Sequence, residues 1–317
     1  MKFCNSLLRL LITGGLGFIG SHLVDSLSKK GHTIKILTKS LSKKANIPKS
    51  TRKIQIEKID LVNFKRLGQI IQKFKPDVIV HLAGNTSHSK SFEKPLEDVE
   101  SNTKTTLFML EKIRELELAC KFILASTFIV IGKPKKLPVT ENTPCSPTTI
   151  YGTNRLASEH LCKIYHDVYG LDTNIFRITN SYGPREQIIP NKNAVNFLIH
   201  QAYKKEKLHI YNKGKYFRDF IYIDDVITGI NTILKKGKPG ELYWISSGRK
   251  TWFKEFANIL QKLTKCGIKF VVTPGYTKKV DVGNFVVDNS KLKKLGWQPR
   301  VSTESGIIKT LKFFDSK

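Results

Sequence analysis

Two short segments of the chain carry residues that could move a proton. Arg155 follows Tyr151 by four residues, a spacing that places both side chains on one face of a helix. A phenol is a poor base at neutral pH, and a fixed cation beside it favours the phenolate form. Ser126 and Thr127 end an apolar run, which predicts hydroxyl groups at the carboxyl edge of a buried strand. We therefore expect Tyr151 to act as acid/base, with Arg155 supplying charge and Thr127 hydrogen-bonding the reacting oxygen.

A glycine-rich turn near the N-terminus could hold a partner for this chemistry. Gly14, Gly17 and Gly20 are three residues apart, after an apolar run and before an amphipathic segment. The first glycine permits a tight turn, the second lets the backbone approach phosphates, and the third lets helix and strand pack closely. The spacing predicts a dinucleotide whose pyrophosphate faces a helix N-terminus. Hydride would then leave the carbon whose hydroxyl Tyr151 deprotonates.

The end of the second predicted strand indicates which dinucleotide binds. Residues 26–56 contain no Asp or Glu, the residue type that usually holds the adenosine ribose. Lys39 stands there instead, with Ser40 and Lys43, and could face a 2′-phosphate, which favours NADP over NAD. Alternatively, Lys39 points to solvent and either dinucleotide is accepted. Further cofactor contacts are predicted at the ends of the third and fourth strands, from Asp60, Leu61, Leu82, Ala83 and Gly84.

Strand and helix patterns alternate through the first half of the chain. Such an order predicts a doubly wound parallel Rossmann sheet of the α/β class, with a smaller, interleaved C-terminal α/β substrate lobe. We expect residues 1–178 to form the dinucleotide-binding domain, which also receives about 220–246, and 179–317 to form mainly the substrate-binding lobe. The predicted strands are Leu7–Ile12, Thr33–Leu37, Lys53–Ile59, Asp77–Leu82, Phe122–Ser126, Asn174–Ile178, Phe217–Ile223 and Leu242–Ile245. The predicted helices are Ile19–Lys29, Leu107–Glu117, Tyr151–Tyr169, Val226–Leu234 (capped by Asp224 and Asp225) and Trp252–Leu263.

The composition limits the class of protein. The chain has 317 residues, 40% hydrophobic and 25% charged, which is typical of a folded globular protein. No apolar run approaches the ~20 residues of a membrane span. Five scattered cysteines without a Cys-x-x-Cys pair predict reduced thiols in a cytoplasmic protein, with neither disulfides nor a metal site.

The net charge of +28, from 54 basic and 26 acidic residues, has two interpretations. A basic surface could bind nucleic acid, or it could be a lysine-rich solvated surface that attracts small anionic substrates. The lysines are spread along the chain with only short clusters, such as 133–136 and 204–207. Because no long basic block appears, we favour the second interpretation and expect no nucleic-acid partner.

On its motifs the chain resembles the extended short-chain dehydrogenase/reductase family, in particular its nucleotide-sugar epimerases and dehydratases. The resemblance extends over nearly the whole chain. The segments that carry it are 13–20 (TGGLGFIG), 60–61, 81–84, Ser91 with Pro95, Asn102 with Thr105, 125–132 (ASTFIVIG), 177–185 (RITNSYGPR), 218–226 (RDFIYIDDV) and 295–299 (LGWQP).

The resemblance implies a cofactor, a substrate class and an oligomeric state. NADP or NAD would be held by the glycine turn with Phe18 and Ile19, by Asn102, and by Tyr151 and Arg155. The implied substrate is a nucleotide-diphosphate sugar. Two helices of the sheet domain commonly pair in such proteins, which implies a homodimer.

The resemblance also implies residues for the substrate. Arg218 would bind the diphosphate, because its planar guanidinium offers a fork of donors to anionic oxygens. Asn180 would donate an amide hydrogen bond, and Ser126 would join the site beside Thr127. Lys278 stands where the family often has a second arginine.

Two departures from the family's pattern bear on the reaction. Arg155 replaces the usual lysine of Tyr-x-x-x-Lys and keeps the charge but not the shape. Phe128 and Ile129 stand where the dehydratases carry acids, so 4,6-dehydration is not expected. A C4 epimerase and a 4-keto-sugar reductase both remain open. The alternatives are an NAD(P)-binding protein of the same fold, weakened by Arg155 and serving a binding or structural role, and a reductase of another carbonyl compound.

Overall fold

A computed structural model describes residues 7–47, 53–86, 88–189, 194–273, 275 and 280–316. The strands are β1 (Arg9–Thr13), β2 (Thr33–Thr38), β3 (Ile54–Lys58), β4 (Val78–His81), β5 (Lys121–Thr127), β6 (Thr173–Ile178), β7 (Asn180–Tyr182), β8 (Leu208–Tyr211), β9 (Phe217–Arg218), β10 (Phe220–Tyr222), β11 (Leu242–Ile245), β12 (Thr251–Trp252) and β13 (Ile268–Val271). The helices are α1 (Phe18–Ser28), α2 (Phe64–Phe74), α3 (His88–Glu93), α4 (Pro95–Val99), α5 (Thr105–Glu115), α6 (Ile150–Tyr169), α7 (Ala194–Tyr203), α8 (Ile223–Lys236), α9 (Phe253–Thr264), α10 (Ser290–Lys293) and α11 (Thr303–Asp315).

The central feature is a seven-stranded parallel sheet with the order β11-β6-β5-β4-β1-β2-β3. Every residue of β4 and β5 is buried, as expected for parallel strands covered on both faces. Leu10 of β1 pairs with Ile34 of β2 on one side and with Val78 of β4 on the other. The strand order therefore reverses at β1 and β4, and open α/β sheets bind ligands at the carboxyl ends of such strands.

The long helix α6 follows the rules for helix ends. The Thr149 side chain accepts a hydrogen bond from the Gly152 amide, which caps the N-terminus. Gly170 ends the helix with a φ of 70°, in the left-handed region that favours glycine. The predicted helix 151–169 is thus confirmed within one residue.

The chain divides into two compact units. The first contains Met1–Thr127, Thr149–Arg177 and Ile230–Tyr243, and the second contains Phe128–Thr148, Ile178–Gly229 and Trp244–Lys317. The first unit has a core of aliphatic side chains from the strands and from α2, α5 and α6, including Leu11, Leu67, Ile79, Met109 and Phe122. The predicted α/β class with an interleaved second lobe is confirmed.

The second unit has short strand pairs instead of one large sheet. β7 pairs in parallel with β10, β9 pairs antiparallel with β12, and β8 pairs in parallel with β13. The prediction of a single strand over 217–223 is therefore wrong. Asp219 separates β9 from β10 because its buried carboxylate accepts amide hydrogen bonds from Ser247, Gly248 and Val287.

The capping role expected of Asp224 and Asp225 is also wrong, because α8 begins at Ile223 and both lie within its first turn. The two oxygens of Asp225 accept from the amides of Arg300 and Val301, each at 2.9 Å. Asp224 instead forms an exposed ion pair of 2.9 Å with Lys309. The acidic pair therefore holds the C-terminal segment of the second unit.

Candidate active site

The glycine turn after β1 has no room for side chains. Gly14 has a φ of 71°, and a Cβ there would lie 3.1 Å from the Ala83 nitrogen, at the end of β4. A Cβ on Gly20 would overlap the Gly14 carbonyl oxygen and lie 2.7 Å from the Gly15 Cα. Glycine at both positions thus lets α1 start directly against the turn, as the sequence predicts.

The N-terminus of α1 is suited to an anion. Gly17 occupies its N-cap and has no side chain to accept from the first-turn amides. The Gly17 amide itself donates to the Gly14 carbonyl at 2.9 Å, which fixes the turn. Phe18, Ile19 and Gly20 follow as the first helical residues, so their amides point out of the helix end. An uncapped helix N-terminus behind a glycine turn fits a dinucleotide pyrophosphate.

His81 joins the ends of β1 and β4 and does not serve as an acid or base. Its Nδ1 lies 2.7 Å from the Thr13 hydroxyl, which also accepts from the Ala83 amide at 3.1 Å. Complete burial, and secondarily the charge of Arg155, lowers the pKa of His81 to about 3. The imidazole therefore stays neutral at physiological pH.

Tyr151 and Arg155 lie on the same buried face of α6. Tyr151 is 6% exposed and Arg155 is 2% exposed. The Arg155 guanidinium carbon lies 5.9 Å from the centre of the Tyr151 ring, within the range of a cation–π contact. The predicted pairing of phenol and cation is therefore present in the fold.

Arg155 also extends to Gly84 and Asn102. A Cβ built on Gly84 would lie 3.3 Å from Arg155 Nη2 and would overlap Asn102 Oδ1. Among the described residues, neither Nε nor Nη1 of Arg155 has a hydrogen-bond partner, and neither does Asn102 Oδ1. Buried donors and acceptors without partners are costly, so this cluster fits the hydroxyl groups of a bound cofactor.

The turn that carries Asn102 departs from an α-helix. Residues Glu100–Lys104 form a π-helical turn between α4 and α5. The Asn102 carbonyl accepts from the hydroxyls of Thr106, at 2.7 Å, and Ser158, at 3.2 Å. These bonds fix Asn102 against α6 beside Arg155.

Ser126 has a buried partner that the sequence reasoning missed. Its hydroxyl donates to a carboxylate oxygen of Glu159, on α6. The same carboxylate accepts two hydrogen bonds from Arg177 of β6, at 2.9 and 2.6 Å. Glu159 lies one further four-residue step along the face of Tyr151 and Arg155, which is the signal that could have identified it. Thr127, 9% exposed, ends β5 next to Ser126.

Lys39 and Asp60 lie together at the ends of β2 and β3. The Lys39 ammonium and the Asp60 carboxylate form an ion pair of 2.7 Å, with side chains 82% and 43% exposed. Leu61 follows Asp60 and is half-buried. Lys39 and Asp60, both predicted to contact the cofactor, are therefore neighbours. The Asp60 carboxylate partly neutralises the positive charge that Lys39 would present to a 2′-phosphate.

Arg218 lies in the second unit and is buried, with 7% exposure. It donates to the Phe217 carbonyl at 3.1 Å, to the Gly283 carbonyl, and to the carboxylate of Asp281. Burial lowers the pKa of Arg218, against the raising effect of Asp281. Asn180 donates from its backbone to the Asp219 carbonyl at 3.2 Å. Lys278 lies outside the described residues.

Asp219 is the acid that follows Arg218, and it is completely buried. Five groups donate to its carboxylate: the Ser247 amide and hydroxyl, the Gly248 and Val287 amides, and the Thr179 hydroxyl. Burial nevertheless raises its pKa to about 6. Asp219 thus fixes the backbone at Ser247, Gly248 and Val287 next to the residue that follows Arg218.

The described residues contain neither a metal site nor a membrane span. Within the described ranges, no group of three or more histidine, cysteine or acidic side chains could hold a metal ion. Over the same residues, no helix is long and apolar enough to cross a bilayer. Over the part of the chain that the structure describes, Cys120, Cys145, Cys162 and Cys266 form no disulfide bond. Burial raises the pKa of the Cys120 and Cys162 thiols.

The chain is similar to known proteins in sequence and in fold. The protein-family model described as GDP-mannose 4,6 dehydratase matches residues 11–310 of the chain. UDP-glucose 4-epimerase of Mycolicibacterium smegmatis is 28% identical, over 98% of this chain and 99% of that protein. dTDP-glucose 4,6-dehydratase of Shigella flexneri is also 28% identical, over 97% and 92%. UDP-glucuronic acid 4-epimerase of Bacillus cereus, solved with UDP-glucuronic acid and NAD, superposes with a TM-score of 0.86 at 28% identity, over 98% and 99%.

Proposed function

Because the chain belongs to the extended short-chain dehydrogenase/reductase family, in its group of nucleotide-sugar epimerases and dehydratases, we propose that it transfers hydride at C4 of a nucleotide-diphosphate sugar. The product would be the C4 epimer or the reduced 4-keto sugar. The observation that carries this proposal is the buried Arg155 guanidinium, which lies over Tyr151 and has two donor nitrogens without partners among the described residues.

The residues of the first unit have distinct proposed roles. A bound NAD or NADP would supply the site that accepts and returns hydride. Gly14, Gly17 and Gly20 would hold its pyrophosphate, and Asn102 and Arg155 would bind ribose hydroxyls. Tyr151 would take the proton from the sugar hydroxyl as general base and return it as general acid. Thr127 would hydrogen-bond the same oxygen.

The choice of cofactor is part of the proposal. The relative from Bacillus cereus was solved with NAD. We propose that this chain accepts both dinucleotides and that Lys39 gives NADP a slight advantage, since a 2′-phosphate can compete with Asp60 for the ammonium. The advantage is small because exposed ion pairs contribute little free energy.

The substrate side of the proposal lies in the second unit. Arg218 would bind the diphosphate and Asn180 would donate to the nucleotide sugar. Phe128 and Ile129 offer no acid for expelling a 6-hydroxyl; Phe128 packs on Phe285 with ring centres 5.2 Å apart. We therefore propose epimerisation or 4-keto reduction instead of 4,6-dehydration, although a curated dehydratase is as similar to this chain as a curated epimerase.

The test is a panel of UDP-, dTDP- and GDP-sugars, each incubated with NAD, NADH, NADP or NADPH and analysed by mass and by NMR. The 4-keto sugars are included as substrates for reduction. An inverted C4 at unchanged mass identifies an epimerase, a gain of two hydrogens identifies a reductase, and loss of water contradicts the proposal. Tyr151→Phe should abolish turnover and leave cofactor affinity unchanged. If the variant keeps the parent rate, the acid/base assignment is wrong.

We also propose a homodimer in the cytoplasm, formed through α5 and α6 of the first unit. Four apolar side chains of these helices are strongly exposed in the single chain: Leu107 at 39%, Ile164 at 49%, Val168 at 66% and Tyr169 at 50%. An exposed apolar stripe of this kind is typical of an interface. Light scattering should give twice the chain mass for the parent and the monomer mass for Val168→Glu. A monomeric parent would contradict the proposal.

A further inference from the structure

We propose that Tyr216 is a positioning residue that sets the plane of the Arg218 guanidinium for binding a diphosphate. The inference rests on the proposed function, because it requires Arg218 to bind that group. The guanidinium carbon lies 5.2 Å from the centre of the Tyr216 ring. A cation at this distance is attracted by the ring face, and a planar guanidinium can stack on it.

A guanidinium that stacks on the ring would keep its donor edge available for oxygen atoms. Among the described residues, the Arg218 side chain donates from its edge to the carbonyls of Phe217 and Gly283 and to the carboxylate of Asp281. The Asp281 side chain is 42% exposed, so its oxygens are accessible to exchange. The edge thus already donates to an anionic oxygen, and a phosphate oxygen can accept in the same way. Tyr216 lies near the guanidinium carbon and accepts none of these hydrogen bonds.

The Tyr216 ring is itself fixed by the core of the second unit. It stacks on Phe253 with ring centres 4.3 Å apart and an interplanar angle of 28°. Phe253 is 6% exposed and packs edge-on against Phe220 at 5.4 Å. The Phe253 amide also donates to the Tyr216 carbonyl at 3.0 Å. Ring and backbone are therefore held by the same residue, so the ring is a rigid support.

The turn before Tyr216 adds a second constraint. Asn212, Lys213 and Gly214 have φ values of 45°, 53° and 69°. Left-handed backbone is unfavourable for residues with a side chain and persists only where the surroundings enforce it. Here the turn packs on α9, because a Cβ on Gly214 would lie 2.7 Å from the Lys254 nitrogen. This contact fixes the direction in which the chain reaches Tyr216.

Electrostatics keeps Tyr216 compatible with an anionic ligand. Burial raises the pKa of the Tyr216 hydroxyl, so the ring stays neutral and adds no negative charge beside the diphosphate. Burial lowers the pKa of Arg218 against the raising effect of Asp281, and the guanidinium stays charged at neutral pH. The face of a neutral ring attracts this charge without occupying a donor.

The test compares variants of Tyr216 in the full chain. The ligand is whichever of UDP, dTDP or GDP binds the parent protein most tightly, titrated by calorimetry. Tyr216→Leu removes the ring and should weaken binding about tenfold, whereas Tyr216→Phe keeps the ring and should stay within about twofold. Sugar-nucleotide KM should rise for Tyr216→Leu without a change in kcat, and NAD affinity should be unchanged. Melting temperatures show whether each variant folds, and Tyr216→Met replaces leucine if that variant does not.

Three outcomes would overturn the inference. If Tyr216→Leu binds the nucleotide as the parent does while Arg218→Ala loses binding, the positioning role fails and the proposed function stands. If Tyr216→Phe weakens binding as much as Tyr216→Leu, the hydroxyl acts instead of the ring face. If Arg218→Ala also keeps the affinity of the parent, the diphosphate assignment fails, and the proposed function fails with it.

Discussion

Replacing Arg155 with methionine tests the charge beside Tyr151. The guanidinium carbon lies 5.9 Å from the centre of the Tyr151 ring, and Arg155 is 2% exposed. If the phenolate charge is placed at the ring centre and the effective dielectric constant is near ~20, a unit positive charge at this distance stabilises it by about 3 kcal/mol. Loss of the charge should lower kcat by about 100-fold. Arg155→Lys keeps the charge and should remain within about tenfold of the parent.

The assay is steady-state turnover of the sugar nucleotide found in the panel, at saturating dinucleotide. Saturation is needed because Arg155 is also proposed to bind the cofactor ribose, so cofactor affinity is measured separately. If Arg155→Met retains kcat within about threefold of the parent, the charge does not activate Tyr151. If Arg155→Lys is as slow as Arg155→Met, the shape of arginine matters and the argument from charge alone is refuted.

Three further predictions concern the cofactor site and the core. Gly20→Ala should weaken NAD binding at least ~10-fold by calorimetry, because its Cβ would lie 2.7 Å from the Gly15 Cα. Asp60→Asn removes the carboxylate that pairs with Lys39, so the NADP-to-NAD affinity ratio should rise. The Asp219 pKa of about 6 exceeds its ordinary 3.8, so the folded state binds the proton more tightly than the unfolded chain. Raising the pH from 5 to 7 should therefore cost the parent about 1 kcal/mol of unfolding free energy relative to Asp219→Asn, measured by urea denaturation.

Each of these predictions has an outcome that would contradict it, and the glycine variant also has a control. Gly275→Ala serves for the glycine turn, because a Cβ there meets nothing within 4 Å; equal NAD affinities of the two glycine variants would contradict the steric argument. For Asp60→Asn, a fall in the NADP-to-NAD ratio would mean that Lys39 does not contact the phosphate. For Asp219, parallel pH curves of parent and variant would show that the carboxyl does not titrate between pH 5 and 7.

The sheet could be predicted from the sequence because its strands are short apolar runs between turn residues. Leu242–Ile245 is confirmed without change, and the predicted second and sixth strands are each one residue short. The start of α5 was harder to locate. Its predicted start at Leu107 is two residues late, and the π-helical turn before it has no local sequence signal. Helix α2 was missed although Phe64, Leu67, Ile70, Ile71 and Phe74 recur at helical spacing, so a sequence signal for it was present.

The candidate site was predictable where residues are close in sequence, as in the glycine turn and along the face of α6. Contacts between residues that are far apart in the sequence could not be predicted. Asp281 reaches Arg218 across 63 residues, and Arg177 of β6 reaches Glu159 of α6. No periodicity links such pairs, because only the folded chain brings them together. The ion pair of Lys39 with Asp60 likewise needed the neighbouring positions of β2 and β3.

The face of α6 that carries Tyr151, Arg155 and Glu159 constrains how this gene can change. Each residue of an α-helix advances the rotation by about 100°, and eight residues span about 12 Å. A single-codon insertion between Tyr151 and Glu159 would swing the phenol away from the face while the glutamate stays bonded to Arg177. Substitutions on the outer side of the helix are tolerated far more easily than any change in its length. The interval between the two residues should therefore stay fixed even where the surrounding sequence drifts.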